Sequence, residues 1–127
     1  MKISSIFDDF PLEAIALLEE EGVKVTVHPQ GVPRPDKADM RTIFEEYDGV
    51  IIGTSQKMVP EIFKNIESNR VIATASVGLD HINIPEEKKK YVTVFNTPKA
   101  NAQSVAEYTL GCALACIKRF REGNDLY

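Results

Sequence analysis

The chain has 127 residues, of which 43% are hydrophobic, with 15 basic against 19 acidic side chains and a net charge of −4. That length suits one domain with a real core, and the composition is that of a globular chain rather than a disordered or repetitive one. The acidic balance excludes a general attraction to nucleic acid or anionic lipid.

In chain order, Lys2 to Phe7 is predicted as a strand, with Ile3, Ile6 and Phe7 apolar. Residues 10–21 predict a helix: Pro11 suits a first turn, Leu12, Ile15, Leu17 and Leu18 supply an apolar face, and Gly22 is a natural stop. Val23 to Val27 alternates as a short strand. The stretch PQGVPRPD, 29–36, holds three prolines and a glycine and is expected to be a loop. Ala38 to Tyr47 returns to helical periodicity through Met40, Ile43 and Phe44. Asp48 and Gly49 turn the chain into Val50-Ile51-Ile52-Gly53, apolar enough to be buried on both faces, as in a parallel sheet. Pro60 to Ile66 predicts a short helix, Val71 to Ala75 a fourth strand, Pro85 to Lys90 a short helical connection, and Val92 to Phe95 a fifth strand. The last helix lies in NAQSVAEYTLGCALACIKRF, 101–120. Ser104 followed by Glu107 has the spacing of a capping box, and Asn101 is a competing N-cap one turn earlier. Either start turns amides towards the strand ends and favours an anion there.

Strand and helix thus alternate about five times. The pattern predicts an open α/β domain of three layers, flavodoxin-like, with a mostly parallel sheet of about five strands, helices on both faces, and an added C-terminal helix. Ligands of such sheets bind beyond the C-terminal ends of the strands, which selects 8–11, 53–56, 76–81 and 96–104. After strand four comes Ser76-Val77-Gly78-Leu79-Asp80-His81. Gly78 lets its amide approach a ligand closely or take a positive φ, and successive amides there form a nest for a carboxylate or phosphate. A plain turn that contains a glycine is the equal alternative. None of the seven glycines falls into GxGxxG or GxxxxGK[ST], so the main site for a nicotinamide cofactor is not expected in this chain.

Other features carry less. Cys112 and Cys116 lie four apart on one helix face and are expected to be two buried thiols in a reducing, cytoplasmic compartment; with His28 and His81 far away in sequence they make no metal site. His81 and His28 are expected to be surface or structural histidines. Lys88-Lys89-Lys90 follows Glu86-Glu87 and reads as a solvated helix face, not a nucleic-acid contact. The N-terminus MKISSIFDDF is not expected to be a signal peptide, and Lys118 and Arg119 interrupt the C-terminal apolar stretch, so no membrane span is expected. Asp8, Asp9 and Lys99 suggest a receiver-domain phosphorylation pocket, but Gly53-Thr54-Ser55 stands where its acceptor aspartate belongs; Asp8 and Asp9 are expected to be solvated. A flavin phosphate after strand one is disfavoured by the same two carboxylates.

Three pieces, Ser76-Val77-Gly78-Leu79-Asp80-His81-Ile82, Val94-Phe95-Asn96-Thr97-Pro98 and Asn101 through Leu110, together resemble the N-terminal half of the NAD-dependent D-isomer-specific 2-hydroxyacid dehydrogenases. The resemblance covers nearly the whole chain in layout and residues 71–119 closely. It implies a flavodoxin-like substrate-binding domain over 1–100 and, over 101–127, a helix crossing towards a nicotinamide-binding domain absent from this chain. Val105, Leu110, Ala113, Leu114 and Ile117 are then expected to face partly this domain and partly the missing one. By the same resemblance the Val77–Gly78 amides hold the substrate carboxylate, with Ser76 beside them. Asn101 reaches the substrate, Thr54 and Ser55 flank its pocket, and Ser104 lies near the nicotinamide. The substrate is a small 2-hydroxy or 2-oxo acid, and NAD or NADP serves the full-length parent without binding this fragment tightly. Dimerisation is common in the family, largely through the cofactor domain, and self-association through the exposed C-terminal helix is a further expectation. The family's catalytic arginine, glutamate and acid/base histidine belong to the second domain, so no catalytic residue is assigned here. Lys99, where relatives often carry glycine or another small residue, is expected to point to solvent. A stand-alone non-enzymatic acid-binding or partner-binding domain is the alternative.

Overall fold

The computed structural model describes residues 1–7, 10–29 and 33–119. The elements are β1 (Lys2–Ser5), α1 (Leu12–Glu20), β2 (Lys24–Val27), α2 (Lys37–Glu46), β3 (Gly49–Ile52), β4 (Arg70–Thr74), β5 (Val92–Phe95) and α3 (Ala102–Ile117), with 3₁₀ turns at Pro60–Phe63 and Glu86–Tyr91. The strands form one sheet in the order β2-β1-β3-β4-β5, and every pairing is parallel. This is the flavodoxin-like α/β arrangement. The expected aspartate loop, Asp8 and Asp9, lies outside the described residues, as does the chain beyond Arg119.

The order of the strands decides where the helices go. From β1 the chain moves outward to β2, then reverses and steps through β3, β4 and β5 in the other direction. Parallel crossovers are right-handed. Reversing direction therefore places α1 on one face, and α2 and both 3₁₀ turns on the other. Strand residues in register share a face. Val50, Ile52, Ile72 and Val92 turn towards α2 and are buried beneath Met40, Phe44, Ile62, Phe63 and Ile66. Phe44 and Phe63 meet edge to face, with centroids 5.5 Å apart.

Local chemistry sets the helix ends. Asp36 is the N-cap of α2; its carboxylate accepts from the amides of Ala38 and Asp39, and Asp39 returns the bond to the Asp36 amide. At the other end the Arg70 guanidinium donates to the Phe44 and Glu45 carbonyls, satisfying acceptors that a helix terminus leaves open. The two predicted short helices are 3₁₀ turns instead. Ile62 and Ile66 donate to carbonyls three residues back, as short segments opened by proline prefer. Each lysine of the basic run has a local partner: Lys88 donates to the Ile66 carbonyl, Lys89 pairs with Glu86, and Lys90 lies over the Tyr91 ring.

Three sequence expectations are corrected. α3 begins at Ala102 with Asn101 as its N-cap residue, so Ser104 sits inside the first turn; no capping box forms, and Glu107 accepts from Gln103 instead. No residue of α3 is buried, so Val105, Leu110, Ala113, Leu114 and Ile117 gain no core against this domain. Cys112 and Cys116 share that fate and are exposed free thiols rather than buried ones. Lys99 has φ 66°, a left-handed conformation that glycine adopts more cheaply, and from there the chain leaves the sheet. Lys99 itself is exposed, as expected.

Candidate functional site

An all-parallel sheet brings the C-terminal ends of β3, β4 and β5 to one edge. The segment after β4 is held from both sides there. On one side the Thr97 amide and hydroxyl both donate to the Ser76 carbonyl, at 2.9 and 3.2 Å, and the Asn96 amide group donates to the Val77 carbonyl at 2.8 Å. On the other, the Met58 amide donates to the His81 carbonyl and the Asn83 amide to the Met58 carbonyl, both at 2.8 Å. Residues 76–83 are thereby clamped between the loops that follow β3 and β5.

Beneath this turn runs a chain of side-chain hydrogen bonds. His81 Nε2 lies 3.0 Å from Thr74 Oγ1, which lies 2.9 Å from Ser76 Oγ, and Ser76 donates to the Gly78 carbonyl at 2.7 Å. A carbonyl only accepts, so its partner fixes the direction of the whole chain. Ser76 spends its proton on Gly78 and accepts from Thr74; Thr74 then accepts from His81. The Nε2 nitrogen of His81 therefore carries a proton. Thr74 and Ser76 are buried and His81 half-buried. His81 acts as a structural histidine that props the turn.

With the Ser76, Val77 and Gly78 carbonyls engaged behind, the Val77 and Gly78 amides are left in front. Among the described residues neither amide donates to a protein acceptor, and both residues are exposed. Two adjacent N–H groups on a braced turn are thus left unsatisfied by the protein, and such amides are the kind of donor that an anion-binding turn uses. Gly78 does not take a positive φ, since Gly22 is the positive-φ glycine among the described residues. What it offers is open space: an added Cβ would meet only an Asp80 carboxylate oxygen, at 3.4 Å.

A cleft of about 440 Å³ opens over these amides. It is lined by Thr54, Ser76, Val77, Gly78 and Asn101, five of the six residues that the resemblance assigns to substrate, together with Asp80 and His81. Ser104 is not among its lining; it is exposed on α3. Ser55 faces a neighbouring cleft. Asp80 is the residue that sequence reasoning passed over, although it stands inside the quoted motif. Its charge opposes a bound anion, so binding strength has to come from the backbone amides and not from net charge. The Asn101 side chain caps no helix amide, which leaves it available to the cleft.

The sequence has no GxGxxG, and the first turn of α3 is exposed on all sides. Among the described residues no cluster of three His, Cys, Asp or Glu is placed to hold a metal, and no helix is long and apolar enough to cross a membrane.

Comparison with known proteins identifies the family. The family model for the D-isomer specific 2-hydroxyacid dehydrogenase catalytic domain matches residues 5–121. A hydroxypyruvate reductase of Thermotoga maritima is 35% identical over 83 residues, covering 65% of this chain and 27% of its own. A glyoxylate reductase of Thermofilum pendens is 30% identical over 116 residues, covering 91% of this chain and 34% of its own. The crystal structure of an NAD⁺-bound 3-phosphoglycerate dehydrogenase from Entamoeba histolytica superposes with a TM-score of 0.70 at 30% identity, covering 91% of this chain and 38% of that one. The chain thus spans between a quarter and two fifths of the length of these relatives.

Proposed function

The chain belongs to the D-isomer specific 2-hydroxyacid dehydrogenase family, as its catalytic domain, and we propose that it forms the substrate-anchoring side of an NAD(P)-dependent oxidoreduction of a small 2-hydroxy or 2-oxo acid. The observation that carries this reading is the pair of unpaired amides at Val77 and Gly78, braced from behind by their own carbonyls' hydrogen bonds. A carboxylate accepting from both amides is fixed in position and orientation. Thr54 and Asn101 then lie along the cleft walls to contact the rest of the acid. Holding a reactant in one orientation is itself a large part of catalysis.

Hydride transfer also needs a cofactor against the substrate, a cation at the developing oxyanion, and an acid/base group. The sequence has no GxGxxG to cradle a dinucleotide, and the His81 Nε2–H is committed to Thr74. The 127 residues alone are therefore expected to show no turnover. In the test, NADH absorbance is followed with glyoxylate, pyruvate or hydroxypyruvate. A flat trace is expected; sustained oxidation would overturn the inactivity. Binding is read separately, by NMR shifts of the Val77 and Gly78 amides on adding oxamate, a non-reducible analogue of a 2-oxo acid. Absence of shifts there would sink the anchoring role.

A second reading, a non-enzymatic domain completed by a protein partner or a second copy, is favoured by α3, whose Val105, Tyr108, Leu110, Leu114 and Ile117 are all exposed. Light scattering over a range of concentrations tests whether a second copy covers α3. Association that disappears when Leu110 and Leu114 become Ser favours self-covering; a strict monomer at all concentrations counts against it.

A further inference from the structure

Next to the cleft at Val77–Gly78 the same edge of the sheet holds another, of about 320 Å³, lined by Arg34, Lys37 and Lys57 with Asp36, Met40 and Ser55. The protein is acidic overall, at −4, yet this hollow gathers three cations against one carboxylate. That carboxylate is already occupied: Asp36 Oδ1 accepts from the Ala38 and Asp39 amides at 2.7 and 2.9 Å, as the cap of α2. Among the described residues none of the three cations forms an ion pair. Arg34 donates through Nη1 to the Ser55 hydroxyl at 2.6 Å, which draws the loop before α2 onto the loop after β3. Like charges held together over a concave, partly apolar floor focus their field on an anion entering it. A guanidinium beside ammonium groups suits an oxyanion with several acceptor oxygens.

The two clefts meet at a single turn. Thr54 lines the one that contains the Val77 and Gly78 amides, and Ser55 lines the cationic one. Neighbouring Cα atoms are about 3.8 Å apart. We propose that Arg34, Lys37 and Lys57 bind a second oxyanion, carboxylate or phosphate, at the far end of the same substrate, so that the preferred ligand is a 2-hydroxy or 2-oxo acid carrying an anionic group at both ends. This rests on the reading of the Val77–Gly78 turn as the anchor for the first carboxylate.

The test uses amide-resolved NMR titrations of the whole chain with four probes: inorganic phosphate, succinate, D-lactate and D-malate. Phosphate and succinate, which lack the 2-hydroxy acid, shift Ser55, Lys57 and the Arg34 side-chain N–H. D-lactate shifts Val77 and Gly78 alone. D-malate shifts both sets and binds at least tenfold tighter than D-lactate. The double variant R34Q/K57Q abolishes the phosphate and succinate shifts and brings D-malate down to the level of D-lactate. K24Q/K90Q, which removes equal charge at the opposite ends of the strands, changes neither. Phosphate shifts at Ser55 that survive R34Q/K57Q, or phosphate shifts that scatter over lysines elsewhere, overturn the cationic site, as does D-malate binding that is equal in both double variants. Failure of D-lactate to move Val77 and Gly78 overturns the anchoring turn instead, and the two failures are thereby distinguished. A stronger response to phosphate than to succinate identifies the distal group as a phosphate; the reverse order identifies a carboxylate.

Discussion

The two faces of the sheet are made of similar residues and end in different states. Under α2, Val50, Ile52 and Ile72 are 1%, 0% and 0% exposed. On the opposite face Ile51, Val71 and Ala73 are only half-buried, and Phe95 is 59% exposed. Val50 and Ile51 are neighbours in one strand, so side-chain chemistry is not the cause. The cause is the path of the chain: three of the four connections run on the α2 face and only α1 on the other, where it shelters Ile3 and Ser5 near the β1–β2 edge. Residues of identical β propensity therefore contribute unequally to stability. An apolar strip left half-open is a surface fit for another layer.

The sharpest way to test that inequality is Phe44→Ala. It removes a fully buried ring and its edge contact with Phe63, and should cost about 3–5 kcal/mol in urea unfolding of the chain. A loss below about 1 kcal/mol would mean that the closed face is not the core.

Gly49→Ala probes the open side, where yielding side chains ought to forgive an added methyl. The prediction is that they do not. A Cβ at Gly49 would stand 2.9 Å from the Val71 carbonyl oxygen, and backbone of a central strand pair cannot step aside. A cost of about 1–3 kcal/mol is expected from overpacking, read from the same unfolding curve. A neutral result would show that β3 and β4 separate easily.

Thr74→Val keeps volume but cuts the chain that runs from His81 to the Gly78 carbonyl. It strands the buried Ser76 oxygen without its donor and should cost about 1–3 kcal/mol. It should also loosen the Val77–Gly78 turn, which hydrogen exchange at those amides reports. In the unaltered chain, ¹⁵N shifts of His81 should show the proton on Nε2. A neutral His81 protonated on Nδ1 alone would reverse the assigned direction.

Phe95→Ser should change stability by no more than about 0.5 kcal/mol. Phe95 is as large and apolar as Phe44 but lies on the uncovered strip. If the chain self-associates through that strip, light scattering falls in this variant while the unfolding midpoint extrapolated to low concentration stays where it was. A large loss of monomer stability would erase the distinction between the faces.

Much of this was legible in the residues themselves. Val50-Ile51-Ile52 announced a buried parallel strand because no polar residue interrupts it. Five alternations of strand and helix, with short loops, leave few topologies once crossovers must be right-handed. Ser76-Val77-Gly78 marked a turn beyond β4 with a glycine, and two amides there have no protein acceptor among the described residues. Five of the six residues assigned to substrate come together in one cleft, and Ser55 lines the next. Other features depended on contacts between segments far apart in sequence. The exposure of Cys112 and Cys116 follows from the direction α3 takes after Lys99, and a local apolar pattern cannot tell a covered helix from an uncovered one. The hydroxyl chain needs Thr74, Ser76 and His81 to close around a backbone carbonyl. The cationic cleft needs Arg34 to reach across 21 positions to Ser55. Local propensity and hydrophobic period determined which segments are strands and helices, since those preferences are summed residue by residue. Only the tertiary structure decided which apolar faces are sealed, which amides stay free and which charges share a hollow, because each depends on what the chain brings back from far away.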